Sequence, residues 1–218
     1  MLYRHWQSQL PDWIQVLPVE LPGRGSRMRE PLFRQLEPLI NTLMGVVQPL
    51  LTLPYAFFGH SMGGLISFEL TRALRRVGRK LPQAIFISGY RAPQLPNPTP
   101  PTYPLPEDQL IAKITAMNGI PPEILAHPEL LNLIIPILRA DFEVCDTYTC
   151  ASESPLPCPI TVFGGKDDPV VPPALLLPWC EQTTQACVIH EFSGDHFFLQ
   201  QHTQPILEQI RSTLCVYP

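Results

Sequence analysis

The sequence predicts an α/β fold in which a mostly parallel sheet is flanked by helices. Segments that resemble strands alternate along the chain with segments of helical spacing, which is typical of a parallel sheet covered on both faces. Residues 53–58 form a short, wholly apolar run, as expected of a strand buried on both faces. A glycine-rich turn follows at residues 59–63, and a helical pattern begins after it. These features favour a strand, a sharp turn and a helix in succession.

Five segments are predicted to be strands because they are short, apolar or β-branched and bounded by turn residues. They are residues 14–21, 53–58, 84–88, 160–163 and 187–192. Three other segments have the apolar spacing of amphipathic helices. They are residues 36–47, 66–77 and 206–214. Gly78 is placed to end the second of these helices.

The middle of the chain has a different composition. Residues 93–106 contain seven prolines and are predicted to form a stiff, extended connector. Residues 107–148 are predicted to be helical, with interruptions at prolines. Their large apolar side chains fit two interpretations, namely helices that pack on their own sheet or a mobile apolar cap inserted between strands. We expect a single domain over residues 1–218, with a lid insertion at about residues 93–150.

Ser61 stands at the centre of the motif Gly-His-Ser-Met-Gly, residues 59–63. A G-x-S-x-G turn between a strand and a helix lifts its serine above the sheet edge, with a helix N-terminus beneath it. Glycines are needed there because the backbone passes close on both sides. We predict that Ser61 is a nucleophile, and the alternative is a structural glycine-rich turn.

A serine hydroxyl is a poor nucleophile at neutral pH and needs an adjacent base. In this arrangement the acid and then the histidine follow the serine along the chain. His196 lies in a glycine turn just after the strand predicted at 187–192, so we predict it as the base rather than a surface loop histidine. His190 lies inside that strand and His202 in a later polar stretch. Asp195 is expected to point elsewhere on the tight turn.

The acid is expected at the end of an earlier strand. Residues 160–163 lead into Asp167 and Asp168, and both carboxylates fit this position. A Gly-x-x-Asp-x-x-Val pattern from Gly165 to Val171 selects Asp168, and Asp167 is expected to form the turn. Such an acid holds the tautomer of the imidazole and stabilises the imidazolium.

Several longer segments resemble the type II thioesterases, the stand-alone editing hydrolases of non-ribosomal peptide and polyketide synthesis. The resemblance runs nearly end to end and is carried by residues 21–27, 58–64, 68–70, 138–142, 163–168 and 194–198. It implies an α/β-hydrolase fold with a helical lid between sheet strands. It also implies Ser61, Asp168 and His196 as the catalytic triad, and the Met62 backbone N–H as one oxyanion donor.

The same resemblance implies a substrate and a partner. The substrate is an acyl or aminoacyl thioester on the phosphopantetheine arm of an acyl or peptidyl carrier protein, and the task is to clear misprimed or stalled carriers. No metal and no cofactor are implied beyond that arm, which belongs to the partner. Two other functions stay open, a general carboxylesterase and a truncated, non-catalytic carrier-binding protein.

The chain departs from the family pattern at its start. Family members begin earlier, with an apolar strand and a glycine-rich loop before a segment that resembles residues 2–6. The absent strand would be an interior one between those predicted at 14–21 and 53–58. The absent loop would carry the second oxyanion donor, whose loss typically costs about 10²–10³ in rate. Two explanations are open, a start codon assigned too late and a true truncation that impairs activity.

Composition excludes several classes of protein. Of the 218 residues, 45% are hydrophobic and only 16% charged, which excludes a charge-driven disordered chain. The net charge of −4 disfavours a nucleic-acid-binding protein. Residues 38–68 carry no charged side chain, but prolines, glycines and polar residues interrupt them, so no membrane span is expected.

The cysteines and the first residues bear on localisation. The six cysteines show no metal-binding spacing, and the first 30 residues lack the pattern of a secretory signal. We therefore expect reduced thiols in a cytoplasmic protein.

Basic residues suggest where a carrier protein could dock. Arg24, Arg27 and Arg29 follow the first predicted strand and are expected on the active-site side. The basic cluster at residues 72–80 lies near the end of a helix, where positive charge is ordinary dipole compensation. The three arginines are therefore the better docking candidates.

Overall fold

A computed structural model describes residues 3–215 of the protein. Across these residues one sheet is formed by four parallel strands: β1 (Phe57–His60), β2 (Ile85–Ser88), β3 (Ile160–Gly165) and β4 (Cys187–Phe192). Their order in the sheet is their order in the chain, and Ile85 stands opposite both Phe57 and Ile160. The predicted α/β class is confirmed. Because all four strands are parallel, their carboxyl ends meet at one edge of the sheet.

Six α-helices complete the fold in the described part of the chain. They are α1 (Leu36–Val47), α2 (Met62–Arg76), α3 (Glu107–Ala116), α4 (Pro122–Leu125), α5 (Pro128–Thr147) and α6 (Thr203–Cys215). The three helices predicted from spacing are present as α1, α2 and α6. Pro122 and Pro128 each stand in the first turn of a helix, where proline is tolerated. Among residues 3–215, no helix combines the length and the apolar character needed to cross a membrane.

The predicted strand at residues 14–21 is wrong. The segment is extended, but it pairs with no strand among residues 3–215. The Val16 N–H donates instead to the side chain of Gln7 at 2.8 Å, and Leu17 is 54% exposed. An alternating apolar pattern shows which side chains can be buried, whereas a strand also needs a neighbour with which to exchange hydrogen bonds. In the described chain β1 is an edge strand, and the sheet contains no further strand beyond it with which residues 14–21 could pair.

The apolar run at residues 53–58 forms a strand only in its second half. Leu53 is 71% exposed, and Pro54 has no N–H to donate to a ladder. Phe57 and Phe58 are half-buried, because β1 is an edge strand of the sheet that residues 3–215 form. Burial on both faces is found instead in β2, where all four residues are buried.

Alternate side chains of the strands enter two apolar clusters on opposite faces of the sheet. One face packs Ile85 and Ile87 of β2 against α1 and α2, and the other packs Phe86 against α6. A third cluster lies among α3, α4 and α5 and is separate from both. Its buried members are Leu110, Ile114, Ile120 and Ile135.

The expectation of reduced thiols is wrong for two cysteines. Cys180 and Cys187 form a disulfide that ties the segment before β4 to the first residue of that strand. The other four, at positions 145, 150, 158 and 215, are free. A separation of seven residues in sequence gave no signal of this pairing.

Candidate active site

Ser61 lies in the turn between β1 and α2 in a strained conformation. Its φ of +52° is one that non-glycine residues seldom adopt, and its N–H donates to the Ser88 carbonyl at 2.7 Å. A Cβ atom at Gly59 would overlap the carbonyl of Gly63, so the first glycine of the motif is required by space. The turn thus has the geometry of a nucleophile elbow, as the motif predicts.

His196 lies in the loop after β4, and its side chain is directed at Ser61. The Nε2 atom of the imidazole is 3.1 Å from Ser61 Oγ, and the residue is 6% exposed. Gly194, with a φ of +110°, provides the tight turn that brings the loop back over the sheet edge. The structure therefore brings the predicted base within hydrogen-bonding distance of the predicted nucleophile.

Asp168 follows β3 and contacts the other nitrogen of the same ring. Its Oδ2 is 2.8 Å from His196 Nδ1, and its Oδ1 accepts the N–H groups of Val170 and Val171 at 2.8 and 3.0 Å. Burial would raise the pKa of this carboxyl, but these hydrogen bonds outweigh it and hold the pKa below its usual value. An ionised Asp168 only accepts, so Nδ1 carries the proton and Nε2 is free to accept the Ser61 hydroxyl.

The residues that the sequence analysis set aside lie elsewhere. Asp167 lies in the turn after β3, as expected, and its side chain accepts the N–H of Gly194 in the later loop at 3.3 Å. The His190 ring stacks on Phe163, with 5.6 Å between the ring centres. Asp195 and His202 also have other partners than Ser61. Among all the acids and histidines considered from the sequence, the structure brings only Asp168 and His196 into the hydrogen-bonded series with Ser61.

His60 is a neighbour of this site that the sequence analysis did not single out. Its ring centre is 5.1 Å from that of His196, and its Nδ1 is 3.0 Å from Ser88 Oγ. Its pKa is lowered to about 3, mainly by burial and in part by the nearby His196, while Asp168 partly opposes the shift. The imidazole of His60 is therefore neutral at any pH at which the site would work. Its position directly before Ser61 in the sequence is the feature that could have indicated that His60 lies beside the site.

Met62, predicted to supply an oxyanion donor, is the first residue of α2. The first four N–H groups of a helix have no partner within it, and the positive end of the helix dipole lies among them. The Gly64 N–H already donates to the Ser61 carbonyl at 2.8 Å. The Met62 amide thus lies beside the serine at the helix end, which suits the predicted role.

A largely apolar cavity of about 1720 Å³ includes Ser61 and His196 in its wall. The wall comes from the carboxyl edge of the sheet, from helices α3 and α5, and from the extended segment at 14–21. This volume exceeds the several hundred Å³ of a typical small-molecule site. The lining also extends along β1 to Tyr3, Ile210 and Leu214, so only part of this volume lies beside Ser61.

Most of the basic residues considered for docking are engaged within the protein. Arg24 donates to both carboxylate oxygens of Asp141 on α5, at 2.9 and 2.8 Å. Arg27 pairs with Glu30 at 2.5 Å. Arg72, from the cluster at residues 72–80, is buried and pairs with two carboxylates. Arg75 and Arg76 of the same cluster both pair with Glu153, so the arginines of α2 hold ion pairs within the protein. Two of the three preferred docking candidates, Arg24 and Arg27, likewise have partners.

The family model described as "Thioesterase domain" matches residues 1–214. The chain belongs to the thioesterase domain family. This thioesterase is 41% identical to "Linear gramicidin dehydrogenase LgrE" of Brevibacillus parabrevis, over 99% of this chain and 83% of that protein. It is 38% identical to "Gramicidin S biosynthesis protein GrsT" of Aneurinibacillus migulanus, over 94% of this chain and 80% of that protein.

Solved structures of thioesterases share this fold. The RedJ thioesterase of the prodiginine pathway in Streptomyces coelicolor has a TM-score of 0.92 and 34% identity, over 98% of this chain and 85% of that one. The type II thioesterase BorB of the borrelidin cluster has a TM-score of 0.87 and 31% identity, over 97% and 86% of the two chains. The resemblance to α/β-hydrolases and to type II thioesterases is therefore confirmed.

Proposed function

We propose that this thioesterase hydrolyses acyl and aminoacyl thioesters from the phosphopantetheine arms of carrier proteins in non-ribosomal peptide or polyketide synthesis. The observation that carries the proposal is the continuous hydrogen-bonded series of Ser61, His196 and Asp168 in the wall of an apolar cavity. Thioester hydrolysis needs a nucleophile, a base and an apolar site for the acyl chain, and this site supplies all three. The proposed partner is an acyl or peptidyl carrier protein, and the proposed location is the cytoplasm.

The first half-reaction transfers the acyl group to the enzyme. His196 Nε2, 3.1 Å from Ser61 Oγ, accepts the hydroxyl proton as the oxygen attacks the thioester carbonyl carbon. The Met62 N–H donates to the oxyanion, and Asp168 stabilises the imidazolium. When the C–S bond breaks, the imidazolium returns the proton to the pantetheine sulfur, and an acyl ester of Ser61 remains.

The second half-reaction releases the acid. His196 accepts a proton from water as the water oxygen attacks the ester carbonyl carbon. The second tetrahedral intermediate collapses when the bond to Ser61 Oγ breaks, and the imidazolium returns the proton to that oxygen. The free carboxylic acid leaves, and the hydrogen bonds of the resting site form again. Asp168 stays ionised through both steps because it holds the ring and does not take the proton.

We infer that residues 93–150 form a lid within a single domain of residues 1–218. Helices α3, α4 and α5 lie between β2 and β3 in the chain, and Ile114, Met117 and Phe142 from this part line the cavity. Their apolar cluster is separate from the clusters on the sheet, which favours a cap over helices that pack on their own sheet. Because an apolar cavity discriminates weakly between homologues, we expect tolerance of varied acyl chains.

The proposal is tested by Ser61→Ala. This variant is expected to release no acyl group from a loaded carrier protein, because the nucleophile is gone. Ser193→Ala is the matched control, since Ser193 is exposed on the loop before His196 and contacts His202. A fluorophosphonate is expected to label the wild type and the control but not Ser61→Ala.

Two outcomes would contradict the proposal. Unchanged turnover by Ser61→Ala would reject the serine as nucleophile. Equal rates of the wild type on short oxygen esters and on acyl-pantetheine thioesters would indicate a general carboxylesterase instead.

A further inference from the structure

The tip of the lid contacts the loop that carries His196. Asn118, just after α3, donates from Nδ2 to Asp195 Oδ2 at 2.6 Å. Within residues 3–215, this is the hydrogen bond that joins residues 107–127 to the sheet and its loops. Those residues otherwise pack with α5 in the third apolar cluster. We call the Asn118–Asp195 hydrogen bond the lid contact.

The lid side of this contact is held in a defined turn. Asn118 has a φ of +56°, and the N–H of Gly119 returns to the Ile114 carbonyl at 2.9 Å, which ends α3 in a left-handed cap. Asparagine is one of the few non-glycine residues that tolerate this conformation. A Cβ atom at Gly119 would meet the ring of Phe197 at 3.9 Å, so the turn lies close to the loop that carries His196. The turn therefore directs the amide of Asn118 at the catalytic loop.

The loop side of the contact is joined directly to His196. Asp195 precedes His196 in the chain, and its second oxygen, Oδ1, accepts the N–H of Phe197 at 2.8 Å. The carboxylate thus contacts the lid with one oxygen and the residue after His196 with the other. A displacement of Asp195 would move the backbone on both sides of the imidazole.

We propose that the lid contact positions His196 for the reaction, so that Asn118 and Asp195 are positioning residues that act through the imidazole. The inference rests on the proposed function, because it assigns these residues a role in that site. With the lid seated, Asp195 holds the loop so that Nε2 stays aimed at Ser61. With the contact broken, the imidazole loses this orientation, and a misplacement of even about 1 Å can lower a catalytic rate by about 10²-fold.

The test uses a charge exchange across the contact. Asn118→Asp places two carboxylates face to face, and we expect kcat on an acyl-carrier thioester to fall roughly tenfold with KM unchanged. Asp195→Asn is expected to stay near the wild-type rate. The Asn118 amide can flip, so that its oxygen accepts a hydrogen bond from the side-chain amide introduced at position 195. In the double variant Asn118→Asp/Asp195→Asn the donor and acceptor are exchanged, and kcat is expected to return to within about twofold of the wild type.

A matched control introduces the same charge elsewhere on the lid. Asn132→Asp lies on an exposed position of α5 and is expected to leave kcat unchanged. The melting temperatures of all variants are measured alongside, so that a fall in kcat caused by partial unfolding is distinguished from one caused by misplacement of His196. Failure of the double variant to recover, or an equal loss in Asn132→Asp, would overturn the proposal.

A second readout separates this inference from the proposed function. The rate at which a small fluorophosphonate labels Ser61 depends on activation by His196 and not on the identity of the natural substrate. We expect this rate to follow the same order among the variants as kcat. A rise in KM for long acyl chains alone, with an unchanged labelling rate, would show that the contact only gates entry and would overturn the positioning role.

Discussion

His60 is a titratable residue that the fold keeps uncharged. It is enclosed by His196, Phe197 and Phe198, and burial lowers its pKa to about 3. A charged ring at this place would oppose the imidazolium that the proposed mechanism forms on His196. His60 therefore fills space beside the proposed base without adding a second positive charge.

Because the pKa of His60 is lower in the folded protein than in the unfolded chain, the free energy of unfolding depends on pH. Below about pH 6.5 the unfolded chain binds a proton at this residue and the folded protein does not, so stability falls as the pH is lowered toward 3. Between pH 7 and pH 5 the expected loss in the free energy of unfolding is about 2 kcal/mol. Urea unfolding at the two pH values measures it.

His60→Gln is expected to remove this share of the acid dependence, whatever its effect on stability at pH 7. His190→Gln is the control, because burial also lowers the pKa of His190 but the side chain is only half-buried. An identical pH dependence in His60→Gln and the wild type would contradict the assignment.

At the scale of elements, the sequence pattern correctly predicted the strands whose formation depends mainly on their own residues. The strands β2, β3 and β4 lie close to their predicted ranges, because each is a short apolar run bounded by turn residues. Residues 14–21 have the same pattern but form no strand, since pairing depends on a neighbour that the pattern of one segment does not reveal. The Cys180–Cys187 disulfide likewise depends on how the segment before β4 folds back.

The strand–turn–helix element that carries Ser61 makes different demands on its two glycines. A Cβ at Gly59 would overlap the backbone of Gly63, whereas a Cβ at Gly63 would meet nothing within 4 Å. We expect Gly59→Ala to lower the free energy of unfolding by about 1–3 kcal/mol or more, as overpacking does. Gly63→Ala lies in α2 and is expected to raise it by up to about 1 kcal/mol.

Thermal or urea unfolding of the two variants checks this contrast. The two substitutions add the same methyl group to the same motif, so each serves as the control for the other. Equal destabilisation by both would show that the close approach at Gly59 does not decide the effect.

At the scale of the whole molecule, the site was predictable where it follows from topology. Ser61, Asp168 and His196 come after β1, β3 and β4, and parallel strands bring their carboxyl ends to one edge. Contacts made by residues 93–150, the proposed lid, were not predictable in this way. The lid contact joins residues 77 positions apart, and its formation depends on the orientation of helices that lie outside the sheet.

The ion pair between Arg24 and Asp141 is another contact of this kind, and it joins residues that are 117 positions apart in the sequence. It joins the loop after the extended segment to α5, with side chains 30% and 23% exposed. Burial raises the pKa of Asp141, and Arg24 only partly offsets that effect. The Arg24 Nε is also buried without a partner in the described structure. Burying this ion pair therefore costs free energy of desolvation. Removing Arg24 alone would nevertheless be unfavourable, because it would leave the Asp141 carboxylate unpaired where few water molecules reach it.

Arg24→Met is accordingly expected to lower the free energy of unfolding by about 1–3 kcal/mol, because it leaves the Asp141 carboxylate unpaired. The double variant Arg24→Met/Asp141→Leu is expected to recover most of this loss, since no buried charge remains. Arg34→Met is the control: Arg34 pairs with Glu143 on the same helix but is 55% exposed, so its loss is expected to cost less than about 1 kcal/mol. Urea unfolding of the four proteins measures these differences, and an Arg24→Met variant no less stable than Arg34→Met would show that the connection to α5 is not held by this pair.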